Sequence, residues 1–289
     1  MRILVTGREG QLARSLSERG ALHAELEVEC VGRPELDLSE RGSVAAAIQR
    51  LEPDLVINAA AYTAVDQAES EPDLAYSVNA DGAGEIARAA HDIGAGIIQI
   101  STDYVFDGKA AAPYREEAPT NPLGVYGSSK LAGEEQVRSG NPDHLIIRTS
   151  WVYSPFGRNF LKTMLRLAAD HDEVRVVADQ IGCPTSALDV ADAILAAAQS
   201  RQGRGRTYHV AGRGSCTWAQ FAEEIFRRSS EFGGPFAAVV PIPTTDFPTP
   251  AARPHYSVLD SSRFEQEFGF VMQRWEDSTR EIVGRLARG

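Results

Sequence analysis

Tyr126 and Lys130 are the one Tyr–Lys pair four residues apart in this chain. On a helix, that spacing puts both side chains on the same face. A phenol beside a fixed ammonium has a lowered pKa, because the cation favours the phenolate, and such a group suits general acid/base work near neutral pH. Thr102 lies where an apolar run, Ile97 to Ile100, ends in Ser101-Thr102-Asp103, and it offers a hydroxyl to the same reacting oxygen. Pairs like this also arise by chance, so their weight depends on the elements that would position them.

Arg2 to Thr6 reads as a buried strand and runs into Gly7-Arg8-Glu9-Gly10-Gln11-Leu12-Ala13, with a helical pattern following through Leu16. A strand, a Gly-rich turn and a helix open a dinucleotide-binding unit: the glycines let backbone approach a pyrophosphate at the positive end of the helix. The pattern is GxxGxxA, with Ala13 where a third glycine is commoner. A second strand, Val28 to Val31, leads to Gly32-Arg33-Pro34. At this point an acidic residue would take a ribose 2′-hydroxyl; Arg33 instead suits a 2′-phosphate and hence NADPH, or else is a solvated loop arginine. Asp37-Leu38 and a helix over 40–51 follow. The third strand, Asp54 to Asn58, runs into Ala59-Ala60-Ala61-Tyr62, small residues that permit close approach of a cofactor or of a helix.

A helical segment over 68–93 and a fourth strand, Ile97 to Ser101, continue the alternation, which argues for a doubly wound parallel sheet in the α/β class. After the Tyr126–Lys130 helix comes a fifth strand, Leu145 to Arg148. Trp151 and Tyr153 lie just past it, placed either for a ligand ring or for the core. Asn159 stands at a helix start suited to capping and to anions. From about 170 the strands shorten and Pro and Gly become frequent, with helices over 187–199, 217–230 and 275–287. This predicts a smaller, irregular lobe: residues 1–155 form the cofactor-binding domain, with some sheet elements returning from the C-terminal half, and 156–289 mainly the substrate lobe. Arg253 sits in the proline-rich stretch Pro248 to Pro254, available to a diphosphate or to solvent.

Composition bounds the partners. The 289 residues are 43% apolar and 24% charged, with a formal net charge of −11. That balance argues against a nucleic-acid groove or an anionic membrane surface. Three scattered cysteines and six scattered histidines give no disulfide framework, zinc spacing or other metal site. Met1-Arg2 enters the apolar Ile3-Leu4-Val5 directly, without a signal-like apolar region, so a soluble cytoplasmic protein is expected.

Together GREGQLA at the N-terminal turn, VINAAAYTAVDQAESEP at 56–72, STDYVFDG at 101–108, YGSSKLAGE at 126–134, RTSWVYSPFGRNF at 148–160, DQIGCPTS at 179–186 and PTPAARPHYSVLD at 248–260 resemble the extended short-chain dehydrogenase/reductases, and within them the dTDP-4-dehydrorhamnose reductases. The resemblance implies a Rossmann-type fold and reduction of the C4 ketone of a dTDP-deoxysugar by NADPH or NADH. In it Tyr126 donates the proton, Lys130 tunes the phenol and holds the nicotinamide ribose, and Thr102 hydrogen-bonds the ketone. It implies Gly7, Gly10, Gln11 and Leu12 at the pyrophosphate, Asp37 and Leu38 at the adenine, and Ala61, Tyr62 and Thr63 along the cofactor wall. Asp103 and Trp151 match positions touching the deoxysugar. Some members are magnesium-dependent homodimers, though no ligand cluster for a metal stands out in the sequence. Two rivals stay open: another nucleotide-sugar reductase or 4-epimerase of the superfamily, and a non-catalytic NADP-binding regulatory subunit.

Overall fold

The computed structural model describes residues 1–40, 42–200 and 202–288. The first half alternates β1 (Arg2–Thr6), α1 (Gln11–Gly20), β2 (Glu27–Val31), α2 (Ser43–Leu51), β3 (Leu55–Asn58), α3 (Val65–Ala68), α4 (Pro72–Tyr76), α5 (Gly82–Asp92), β4 (Gly96–Thr102), α6 (Val125–Gly140) and β5 (His144–Thr149). The second half holds β6 (Val152–Tyr153), α7 (Phe160–Asp170), β7 (Glu173–Val177), β8 (Ile181–Gly182), β9 (Thr185–Ser186), α8 (Ala187–Ala198), β10 (Arg206–His209), β11 (Cys216–Thr217), α9 (Trp218–Glu231), β12 (Ala238–Ile242), α10 (Ser262–Phe268) and α11 (Trp275–Ala287).

Six strands form one parallel sheet in the order β2-β1-β3-β4-β5-β10. Its strands bury both faces, as a parallel sheet covered by helices requires. Ile3, Val5, Ile57, Ile98, Leu145 and Ile147 pack with Leu16 of α1 and with Val190 and Ile194 of α8. Their neighbours Leu4, Val56, Ile97 and Ile146 point the other way, onto Val44 and Ile48 of α2, Ile86 and Ala87 of α5 and Val137 of α6. Each such side chain contributes roughly 1.5–3 kcal/mol by leaving water. The chain leaves β1 for β2 on one side and resumes at β3 on the other. That reversal opens a crevice at the C-terminal ends of β1 and β3, where ligands of open α/β sheets bind.

A line of buried polar side chains holds this rim. Thr6 Oγ1 donates to Asn58 Oδ1 at 2.6 Å, Asn58 Nδ2 to Gln99 Oε1 at 2.8 Å, and Gln99 Nε2 to the Ile100 carbonyl at 2.8 Å. Beyond the rim sits the second lobe, where Leu161 and Met164 of α7, Phe221, Ile225 and Phe226 of α9, and Ile282 and Val283 of α11 pack against Val174 and Val176 of β7. Thr217 and Gln220 close a capping box that starts α9.

Three features differ from the sequence expectation. The helix expected over 68–93 is divided: α4 gives way to a π-helical turn, Ser77–Asp81, before α5 begins. The helix at 187–198, expected with the smaller lobe, instead packs on α1 in the layer beside the sheet, because its Val190 and Ile194 complete that side of the core. Strand β10, four residues long, had no distinct pattern in the sequence, yet it extends the sheet beside β5. Among the described residues, no helix is long and apolar enough to cross a membrane.

Candidate active site

Strand β4 ends at Thr102, and α6 starts at Val125, so the sheet rim and the first turn of α6 bring Thr102 and Tyr126 together. Gly127 makes the approach possible: a Cβ there would lie 2.2 Å from the Tyr104 carbonyl oxygen, closer than any side chain can sit. Tyr104 packs its ring edge-on against Tyr126, with centroids 5.6 Å apart. Thr102 Oγ1 donates to Asp103 Oδ1 at 3.0 Å and accepts from the Tyr104 amide at 3.2 Å. Lys130, one turn on, is 4% exposed. Its Nζ donates to the Ile100 carbonyl at 2.7 Å.

The electrostatics correct one expectation. Burial pushes the Tyr126 phenol up to about 12; the hydrogen bond with Thr102 pulls it down and Asp103 pushes it further up. Lys130 does not lower it, because its ammonium faces Ile100 and burial brings its own pKa down to about 8, against the pull of Glu134. The phenol is therefore held protonated, which is the form a proton donor needs.

Behind this pair lies a cluster that sequence reasoning missed. Glu134, four residues past Lys130 and fully buried, accepts from Ser101 Oγ at 2.6 Å. It also accepts from Arg148 Nε at 2.8 Å and Nη2 at 2.7 Å, and from Arg138 at 2.8 Å. Lys130 to Ile100 and Glu134 to Ser101 are two adjacent ties from α6 to the strand that ends in Thr102. The available signal was the continuation of the four-residue spacing from Tyr126 through Lys130 to Glu134. Asn79, in the π turn, was missed as well. Its side chain accepts from the Tyr62 amide at 2.8 Å and donates to the Tyr62 carbonyl at 3.1 Å and to Ser129 Oγ at 3.0 Å.

Around the crevice, Gly7 has a φ of +93°, a conformation that favours glycine, and it lies next to Ala60. Gly10 precedes α1, whose first turn has no side-chain cap and no acidic residue. That leaves its amides and the positive end of its dipole open to an anion. The Gln11 side chain is tied to the second lobe: its Oε1 accepts from Ser154 Oγ and Asn159 Nδ2, both at 2.9 Å. Leu12 turns into the core, so only its backbone faces outward. Arg33 is exposed. The Asp37 carboxylate is held by the amide and hydroxyl of Ser39, which keep it below the usual carboxylate range, and Leu38 is buried. Ala61 and Tyr62 are half-buried and Thr63 is exposed; the Tyr62 hydroxyl donates to Glu71 at 2.8 Å.

The second-lobe residues are differently placed. Trp151 stacks on Trp218 at a centroid distance of 3.5 Å, and its φ of +45° is a strained backbone for a bulky residue. Trp218, which no sequence pattern marked, also meets Phe160 at 4.6 Å. Asn159 caps α7 by accepting from the Lys162 amide at 3.0 Å, and its amide hydrogens are taken by Gln11, Ser154 and Phe156. The capping role is therefore the one filled. Arg253 faces neither open solvent nor the α1 terminus: it grips Asp66 with two hydrogen bonds, 2.9 and 2.8 Å. The proline-rich loop is thereby fastened to α3 beside Tyr104. Among the described residues there is no cluster of three or more His, Cys, Asp or Glu side chains suited to a metal ion.

The family model for the RmlD substrate binding domain matches residues 1–288. The dTDP-4-dehydrorhamnose reductase of Sinorhizobium fredii is 47% identical over 292 residues, spanning 99% of this chain and 98% of that protein. A crystal structure of a dTDP-4-dehydrorhamnose reductase from Clostridium acetobutylicum superposes with a TM-score of 0.93 at 41% identity, covering 99% of both chains. The dTDP-4-dehydrorhamnose reductase of Bacillus anthracis, solved in complex with NADP, matches with a TM-score of 0.92 at 39% identity, over 97% of this chain and 98% of that one. The chain belongs to the RmlD family, among the dTDP-4-dehydrorhamnose reductases.

Proposed function

We propose that this protein reduces the C4 ketone of dTDP-4-dehydro-L-rhamnose to dTDP-L-rhamnose, with NADPH supplying the hydride. It is an NAD(P)H-dependent oxidoreductase of the Rossmann type. The observation that carries the reading is the meeting of Thr102 and a protonated Tyr126 at the sheet rim, with Lys130 buried one turn behind.

In this reading Tyr126 gives its proton to the alkoxide that forms as the ketone is reduced. Thr102 steadies the same oxygen with its hydroxyl, and Lys130, buried one turn behind, would hold the nicotinamide ribose. Gly7, Gly10 and the first-turn amides of Gln11 and Leu12 would hold the pyrophosphate, and exposed Arg33 the 2′-phosphate. Asp37 and Leu38 would border the adenine, with Ala61, Tyr62 and Thr63 along the cofactor. Asp103 and the strained Trp151 would meet the deoxysugar. Residues 1–155, with α8 and β10, would carry the cofactor, and the rest of 156–289 would close over the sugar nucleotide. A cytoplasmic location would suit the NADPH it would consume.

The test is direct. With NADPH and dTDP-4-dehydro-L-rhamnose the protein should oxidise one NADPH for each dTDP-L-rhamnose formed. Stable cofactor absorbance with tight NADP binding would point instead to a non-catalytic subunit, and reduction of a different 4-keto sugar nucleotide in preference would shift the substrate.

A further inference from the structure

Asp103 is the buried carboxyl nearest the proposed reacting groups, at 1% exposure. Its Oδ1 takes the only hydroxyl hydrogen that Thr102 possesses, at 3.0 Å. The Ser257 side chain stands near enough to draw the carboxyl's pKa down, and among the described residues Oδ2 is buried with no hydrogen-bond partner. An ionised carboxylate with one oxygen sealed from water and unpaired is costly, so the site favours the protonated acid. A protonated carboxyl can also reverse the contact with Thr102, donating to Oγ1 where the carboxylate accepts. The direction of that one hydrogen decides what Thr102 can do, because a hydroxyl has a single proton to give.

We propose that Asp103 is a positioning residue acting through Thr102: with a proton on Asp103 the Thr102 hydroxyl hydrogen is free to reach the reacting oxygen, and with Asp103 ionised that hydrogen is held away from it. The role rests on the reading above, in which Thr102 meets the ketone, and adds the group that governs its availability.

The surroundings leave Asp103 as the titrating member. Tyr126 from α6, Tyr104 next in the chain and Cys183 just after β8 all sense its charge. Burial pushes each of those three pKa values upward, so all stay neutral near pH 7. The nearby cations are engaged elsewhere, Arg253 by Asp66 and Lys130 by the Ile100 carbonyl. Burial lifts Asp103 to about 6, and the hydrogen bonds from Ser257 and Thr102 pull against that rise.

The experiment is the pH profile of kcat/KM, which reports groups of the free enzyme, measured for wild type and four variants, with folding and NADPH binding checked by circular dichroism and fluorescence. Wild-type kcat/KM should fall by up to about tenfold per pH unit as Asp103 ionises near pH 6, a limb separate from the one Lys130 gives near pH 8. Asp103→Asn, whose amide can donate to Thr102 permanently, should remove that limb, whatever rate its contact with the deoxysugar costs at every pH. Ser257→Ala should move the limb to higher pH, and this arm still reports if Asp103→Asn folds poorly. Thr102→Ala should be slow and lack the limb, and adding Asp103→Asn to it should leave the profile flat. An unchanged limb in Asp103→Asn would overturn the proposal. So would a limb that survives in Thr102→Ala and vanishes only in the double variant, the sign of a carboxylate whose charge acts on the reaction without Thr102. Full activity of Thr102→Ala would overturn the reading of Thr102 itself, on which the Asp103 role depends.

Discussion

Tyr126 keeps its proton because it is packed by Tyr104 and desolvated, and a protonated phenol within reach of Thr102 is suited to completing a reduction. Tyr126→Phe should fold and bind NADPH normally but lose about 10²–10⁴-fold in kcat, the usual loss when a positioned proton donor is removed. A variant with near-normal turnover would show that the proton comes from elsewhere. Tyr126, Lys130 and Thr102 were legible in the sequence because two lie one helical turn apart and the third ends an apolar strand. What their environment does to them was not. The spacing suggested a phenol acidified by its lysine, yet the lysine turns to a backbone carbonyl and desolvation governs both groups. Asn79, Ser257 and Trp218 were invisible for a related reason: their partners are 17 to 154 positions away, at Tyr62, Asp103 and Trp151, and only the folded chain joins them.

Between α6 and β4 run the ties of Lys130 to Ile100 and of Glu134 to Ser101, on the helix that carries Tyr126 and the strand that ends in Thr102. Glu134 is fully buried and paired with Arg148, itself 3% exposed. Glu134→Gln would leave that guanidinium without its counter-charge, a change that typically costs about 3–5 kcal/mol. A fall in denaturation midpoint measures it. Glu134 also favours the charged form of Lys130, which burial has brought to about 8. The variant should therefore lose activity at lower pH on the alkaline side than wild type does. The sign separates function from folding. A lysine whose folded pKa lies below its unfolded one gains stability as pH rises between the two, so this loss of activity is not unfolding. An alkaline limb that stays in place in Glu134→Gln would detach Glu134 from Lys130. The strands of the sheet were legible from short runs of Ile and Val, and β1, β3 and β4 lie within a residue or so of expectation. The π turn at Ser77–Asp81 was not, since its sequence continues a helical pattern and the partner of its Asn79, the Tyr62 backbone, lies 17 positions earlier.

At the scale of the molecule, the crevice between sheet and second lobe is closed on one side by the Arg253–Asp66 pair and on another by Gln11 with Ser154 and Asn159. The proline-rich loop was legible as extended chain, but the residue its arginine seeks lies 187 positions earlier. If the pair acts as a fastener, Arg253→Ala and Asp66→Ala should each raise KM for the sugar nucleotide, and the double variant should be little worse than either single one. A partly exposed, bidentate pair of this kind is worth roughly 1 kcal/mol, or about fivefold. A normal KM in Asp66→Ala beside a large rise in Arg253→Ala would assign the arginine to the substrate's diphosphate. The central claim is hydride delivery to a sugar carbonyl at the Tyr126 rim, and isotope transfer tests it most directly. When NADPH deuterated at the transferring position of nicotinamide C4 is consumed with dTDP-4-dehydro-L-rhamnose, the dTDP-L-rhamnose formed should carry one deuterium, at sugar C4. Product without deuterium at that carbon, or cofactor consumed with no reduced sugar, would contradict the account.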